Sequence, residues 1–185
     1  GWYSALSQGC GISLLLRVHK ETGEEKYLEV AKEAARALMI PMKEGGVSYM
    51  DEAGNVWLEE YMVEPPTHIL NGFLWALWGV WDWYLATKNE DARKYFESCV
   101  KTLEQNLPRY DAGYWSKYDL SKQAMKMLAS PFYHKLHIAE LEATHILTGK
   151  EIFKTFHDRF LKYNKSWWRR KRALLHKAIF KILYF

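Results

Sequence analysis

Three short stretches of this sequence carry groups that take up or release protons. Glu59-Glu60-Tyr61, Tyr118-Asp119 and Tyr133-His134 supply carboxylates, phenols and an imidazole. Such side chains, gathered around one reacting atom, do general acid–base chemistry. Singly, each tyrosine reads as an amphipathic packer and each acid as a solvated charge. The functional reading therefore requires that separate segments share one rim. Trp57 and Trp115 lie on glycine-rich excursions, where an indole face can stack on a sugar ring. His134, His137 and Glu140 have the spacing of helical metal ligands, but no second motif supports zinc and no metal is expected. Cys10 and Cys99 allow at most one bridge and leave the redox compartment open.

An internal repeat indicates how these residues are positioned. Thr22-Gly23-Glu24, Thr87-Lys88-Asn89 and Thr148-Gly149-Lys150 each open an amphipathic segment, and the threonines are 65 and 61 residues apart. Tyr27, Val30, Ala31, Ala34 and Leu38 mark an apolar stripe at helical spacing in the first segment; Phe96, Val100, Leu103 and Leu107 do so in the second. Before each lies a more apolar helix, expected near Trp2–His19, Thr67–Ala86 and Pro131–Leu147. Helices apolar on most faces need protein around them, so these form the expected inner layer. The expected fold class is all-α: an α/α-toroid of stacked αα-hairpins, incomplete as a barrel, with small β-hairpin excursions on one rim. Residues 45–59 predict the first β-hairpin and 113–118 a shorter one, both on the rim that carries the acid–base residues.

Of 185 residues, 49% are apolar and 16% aromatic, with 9 Trp and 12 Tyr, an ordinary globular composition enriched in residues that suit sugars and interfaces. The net charge of +4 hides an asymmetry. Seven basic residues and no acid follow Asn164, leaving 19 cations against 22 acids before it. The reading is therefore a toroid over residues 1–164 and a basic amphipathic helix over 165–185. The tail's apolar stripe is expected to pack on the acidic body or pair two subunits as a homodimer; docking on an anionic membrane surface is the less favoured rival. The longest apolar run, from Gly72 to Trp81, has the length of a core helix rather than a membrane span. Gly1-Trp2, without Met or a cleavable signal, reads as the interior of a longer protein, and no compartment is indicated.

Gly1-Trp2-Tyr3-Ser4-Ala5, Gln8-Gly9, Glu59-Glu60-Tyr61, Leu70-Asn71-Gly72-Phe73, Leu107-Pro108-Arg109-Tyr110-Asp111, Tyr118-Asp119-Leu120 and Tyr133-His134 with His137 resemble the C-terminal domain of D-glucuronyl C5-epimerases. The resemblance runs from Gly1 to about Tyr163. It implies a helical α/α-barrel that converts glucuronate to iduronate within a heparan-type polysaccharide, with β-rich domains ahead of it in the family. Carried over by motif, the catalytic positions are Glu60, Tyr61, Tyr118 and Tyr133. Asn71, Arg109, Lys117, Trp57, Trp115, His134 and His137 are the accompanying substrate-binding candidates. The chemistry fits: epimerisation needs a base on each sugar face and donors or cations around the carboxylate. Glu60 and Tyr133 are assigned as the opposed pair, with Tyr61 and Tyr118 as relay groups. Ser121 stands where the family commonly has Arg, and Met62 where it has Pro. The expected partner is an anionic uronate polysaccharide, with no cofactor and no nucleic acid. A noncatalytic glycan- or partner-binding toroid, a lyase and a glycoside hydrolase are the alternative readings.

Overall fold

The computed structural model describes residues 3–184. Seven α-helices are present among them: α1 (Ala5–Thr22), α2 (Glu25–Met39), α3 (Leu70–Thr87), α4 (Glu90–Asn106), α5 (Pro131–Thr148), α6 (Glu151–Lys165) and α7 (Trp167–Tyr184). The first six form three αα-hairpins in chain order, as the repeat predicts. The expected helix start at Trp2 lies outside the described residues, and α1 begins after Ser4, whose side chain caps it. The chain divides into two compact units. One holds the residues through His68 together with Gly72–Leu103; the other holds Ile69–Asn71 and Glu104–Phe185.

The repeated threonine does more than open the outer helix. It ends the inner one, and its hydroxyl serves both sides of the turn. Thr22, Thr87 and Thr148 each donate to the carbonyl four residues back, at 2.9, 2.8 and 2.7 Å. Each also accepts from the backbone N–H two residues on, at 3.2–3.3 Å. The short polar side chain thus satisfies orphaned backbone groups at a helix end. His19 and His145, three residues before their threonines, repeat a bond to the carbonyls of Glu24 and Lys150, each at 3.1 Å. The residue after the threonine is left-handed in all three turns: Gly23 (φ 71), Lys88 (φ 54) and Gly149 (φ 68). Only lysine bears a Cβ penalty there. Lys88→Gly is expected to stabilise the protein by up to about 1 kcal/mol and raise its melting temperature by roughly 2–4 °C, read by calorimetry.

In the first unit α1 and α3 touch backbone to backbone. A Cβ on Gly9 would lie 2.5 Å from Ala76 Cα, and one on Gly79 the same distance from Gly9 Cα. Ile12, Leu16, Leu74, Leu77, Val80 and Trp83 are buried on the same two helices. The outer helix α4 buries Phe96, Cys99, Val100 and Leu103, with Phe96 against Trp81 of α3 (ring centroids 4.7 Å). In the second unit α5 and α6 pair through Ile138, Leu141, Phe153, Phe156 and Phe160, all buried.

The first excursion forms the expected hairpin. β1 (Ser48–Met50) pairs antiparallel with β2 (Val56–Leu58), with Tyr49 opposite Trp57. Asp51 builds its turn by accepting from the backbone of Ala53 and Asn55 and from the Asn55 amide. The second excursion departs from the expectation of a hairpin. Only isolated bridges form, Asp111 with Ser116 and Lys117 with Leu128. The reason is local: the Ser116 N–H donates to His134 Nδ1 (3.2 Å) instead of extending a ladder.

Candidate active site

Glu59 leaves β2 with its side chain fully buried and clamps His68. Its Oε2 accepts the His68 backbone N–H at 3.0 Å, and its Oε1 meets Nδ1 at 2.5 Å. These two contacts fix the orientation of the His68 ring. His68 has φ 53, a conformation rare for residues with a Cβ, and its ring stacks on Trp57 at 4.0 Å and 22°. Nothing in the sequence reading singled this histidine out. Its one cue is its place in the non-helical Pro65-Pro66-Thr67 run that leads into α3.

Glu60, the next residue, packs against Gly72 in the first turn of α3, where only glycine leaves room for its carboxylate. Its Oε2 is buried and has no hydrogen-bond partner among the described residues. Burial raises its carboxyl pKa above the ordinary value. A carboxyl group desolvated in this way holds its proton more readily than an exposed one, which suits proton exchange with a substrate. Tyr61 follows with its ring partly exposed.

The second unit holds the other tyrosines. Tyr118 is fixed through its backbone: its N–H donates to Met127 (2.8 Å), and its carbonyl accepts from Leu70, the first residue of α3 (3.1 Å). Tyr133 sits in the first turn of α5, its N–H donating to the capping hydroxyl of Ser130 at 3.2 Å. The two rings meet edge to face, centroids 4.9 Å apart and 65° between planes. The structure thus brings Tyr118 and Tyr133 together. Asn71, next to Leu70, is buried, and its Oδ1 has no partner among the described residues. Arg109 is exposed and donates to Asn106 (2.6 Å); the Lys117 ammonium donates to the Arg109 carbonyl (2.6 Å). Burial lowers the Lys117 pKa. Ser121, in the place of the family's arginine, bonds Asp119 Oδ1 at 2.8 Å and supplies no charge.

Four substrate-binding expectations are corrected. Trp57 and Trp115 are 0% and 1% exposed, so neither presents a face to a sugar. Each satisfies its indole N–H internally, on Asp51 and on the Ala129 carbonyl, and forms a plate beneath a histidine. Trp115 stacks on His134 at 3.6 Å, as Trp57 does on His68. His134 and His137 are both fully buried and cannot reach a substrate carboxylate.

The two histidines instead share Ser116, and their proton positions follow from counting donors. His134 Nδ1 accepts the Ser116 N–H, so Nε2 carries the proton and donates to the Phe160 carbonyl at 3.1 Å. The Ser116 hydroxyl lies 2.8 Å from His134 Nδ1 and must donate to it. The same hydroxyl oxygen, 2.9 Å from His137 Nδ1, must then accept from it. His137 Nε2 is left as a bare, buried acceptor without a partner among the described residues. Desolvation holds the His134 pKa down to about 4 and the His137 pKa down to about 3, the latter also repelled by its neighbour. Both rings are neutral wedges between the second excursion and α5, the helix that carries Tyr133.

Residues 1–162 match the family described as D-glucuronyl C5-epimerase C-terminus. A D-glucuronyl C5-epimerase from Caenorhabditis elegans is 34% identical over 178 residues, covering 88% of this chain and 29% of that protein. An uncharacterized protein from Methanocaldococcus jannaschii is 33% identical over 170 residues, 90% of this chain and 52% of its own. The chain therefore spans about half or less of the length of these relatives. Among solved structures, the family 76 glycoside hydrolase (mannosidase) Bt3792 from Bacteroides thetaiotaomicron matches with a TM-score of 0.56 at 14% identity, over 87% of this chain and 42% of that one. That likeness concerns the fold alone, and the fold class is the all-α, α/α-toroid type. By its match over residues 1–162 and its 34% identity to the nematode enzyme, the chain belongs to the D-glucuronyl C5-epimerase C-terminal family.

Proposed function

We propose that the protein inverts C5 of glucuronate residues within a polysaccharide. The observation that carries this reading is the Glu60 carboxyl, desolvated against Gly72 with its Oε2 unpartnered among the described residues, in a chain of this family. The C5 hydrogen lies next to a carboxylate and is a very weak acid. One base must take it, and an acid on the opposite face must return a proton to the same carbon. The step is balanced by protons alone: the C5–H bond breaks, the pair delocalises into the carboxylate as an enolate, and a new C5–H bond forms. No redox partner is required. We assign Glu60 and Tyr133 to the two proton transfers and Tyr61 and Tyr118 to hydrogen bonding and relay. Tyr133 sits in the first turn of an 18-residue helix, where the backbone dipole favours negative charge on a nearby group. Tyr118, edge-on to it, holds the ring.

The test is incubation with glucuronate-containing polysaccharides in deuterated water, read by NMR. Deuterium at C5 with both epimers present is the expected result. Unsaturated chain ends would identify a lyase, and new reducing ends alone a hydrolase. No exchange by the folded protein across several uronate polymers would leave a glycan-binding module.

A further inference from the structure

Helix α7 lies beyond the residues that match the family, which end at 162. One stripe of it is packed. Ala173 and Phe180 are buried. Tyr114 donates to His176 Nδ1 (3.0 Å), His176 Nε2 donates to the Lys126 carbonyl (2.9 Å), and the Lys177 ammonium donates to the Leu128 carbonyl (2.9 Å). Arg172 lies over the Tyr114 ring at 3.9 Å. These contacts fix the rotation of the helix about its axis.

That rotation leaves a second apolar stripe turned outward. Trp168, Leu175 and Ile182, seven residues apart and so on one face, are 77%, 64% and 83% exposed. Trp167, Ile179 and Leu183 are exposed around them. Arg170, Lys171 and Lys181 are also exposed, and no acid occurs from Lys165 onward. A monomeric soluble surface rarely keeps such a continuous apolar stripe in water. The occupant must offer apolar depth and negative charge at once. A second copy brought face to face would set the exposed Lys171 and Lys181 of one helix against those of the other. A uronate chain would answer the cations but leave Leu175, Ile179 and Ile182 in water. A bilayer interface with anionic head groups answers both, and Trp, Leu and Lys are the residues suited to it. The helix is about 27 Å long at 1.5 Å per residue. No helix of the described residues is long and apolar enough to cross a membrane, so α7 would lie in the plane of the surface.

We propose that α7 docks the protein on an anionic lipid surface through Trp168, Leu175, Ile179 and Ile182, with Lys171 and Lys181 on the head groups. The packing expected of the tail accounts for one side of this helix; the lipid surface accounts for the other.

The experiment is co-sedimentation of the 185-residue chain with phosphatidylcholine vesicles, with and without phosphatidylglycerol, at low and high salt. Strong binding to the anionic vesicles alone, weakened by salt, is expected. K171Q/K181Q should weaken that binding roughly thirtyfold, since each cation near the surface contributes about a factor of five. L175D/I182D should abolish it without lowering the melting temperature, because both side chains are already exposed. The proposal fails if the chain does not bind anionic vesicles at low salt, if it binds neutral vesicles equally, or if L175D/I182D binds as the parent does. Absence of vesicle binding together with a dimer that L175D/I182D dissociates would assign the stripe to a second copy. Absence of vesicle binding with retention on a uronate polymer, lost in K171Q/K181Q, would assign the helix to polysaccharide.

Discussion

Tyr133→Phe and Glu60→Gln should each reduce C5 hydrogen exchange by about 10²–10⁴-fold, the range expected for a proton-transfer group, and Tyr118→Phe, which removes a hydrogen-bonding relay, by less. Tyr133→Phe should melt with the parent protein, since it loses one oxygen and keeps the ring contact between Tyr118 and Tyr133. If the two phenols act as a unit, the double variant should lose little more than the worse single one. Glu60 offers a further readout. Its pKa is raised by burial, so the pH profile of exchange should show an inflection above the ordinary carboxylate range, and Glu60→Gln should remove it. Rate losses in all three variants without any change in that profile would leave Glu60 a packing residue against Gly72 and overturn its assignment. Full activity in Tyr133→Phe would end its role as a base.

Acid should unfold this protein well before its carboxylates are mostly protonated. His134 and His137 are neutral in the fold, with pKa values of about 4 and about 3, against 6.5 for the ordinary imidazole. Above pH 6.5 both states are neutral at these rings and the fold is unpenalised. As pH falls from 6.5 toward 4, the unfolded chain binds two protons that the folded chain excludes, and stability declines. At pH 4.5 the pair together should have removed on the order of 5 kcal/mol, comparable with the whole stability of a small domain. Urea unfolding followed by circular dichroism between pH 7.5 and 4.5 (roughly the window in which this linkage acts) measures the slope. Replacing His137 by Asn should lower stability at neutral pH and flatten that slope. Equal stability at both ends of the window would show that the rings are not held neutral.

Much of the architecture could be read in the chain itself. Three threonines mark three helix–turn–helix units because a short hydroxyl can serve the carbonyl behind it and the N–H ahead, and that need is local. Stripe spacing located the helices to within a few residues, since a 3.6-residue period is visible without knowledge of what packs on it. The first β-hairpin was legible for the same reason, through Asp51, Gly54 and alternating side chains. Motifs in Glu60, Tyr118 and Tyr133 pointed to the family, and the match over residues 1–162 agrees.

What tertiary structure decided was which polar and aromatic groups remain available. Trp57 and Trp115 carry the composition of a sugar platform, yet both lie beneath histidines with their N–H groups satisfied. His134 and His137 share a helix face with Tyr133 in sequence, but Ser116, 18 and 21 residues away, takes both rings inward. His68 has no periodic signature, and the buried Glu59 carboxylate nine residues earlier creates its orientation. Helix α7 shows both halves of the division: its sequence specified an amphipathic basic helix, while contacts from Tyr114, Lys126 and Leu128 determined which apolar stripe is covered. Periodicity is a property of one segment and is written along it. Burial, tautomer and hydrogen-bond partner are properties of pairs distant in sequence, and only packing brings the second member of each pair into reach.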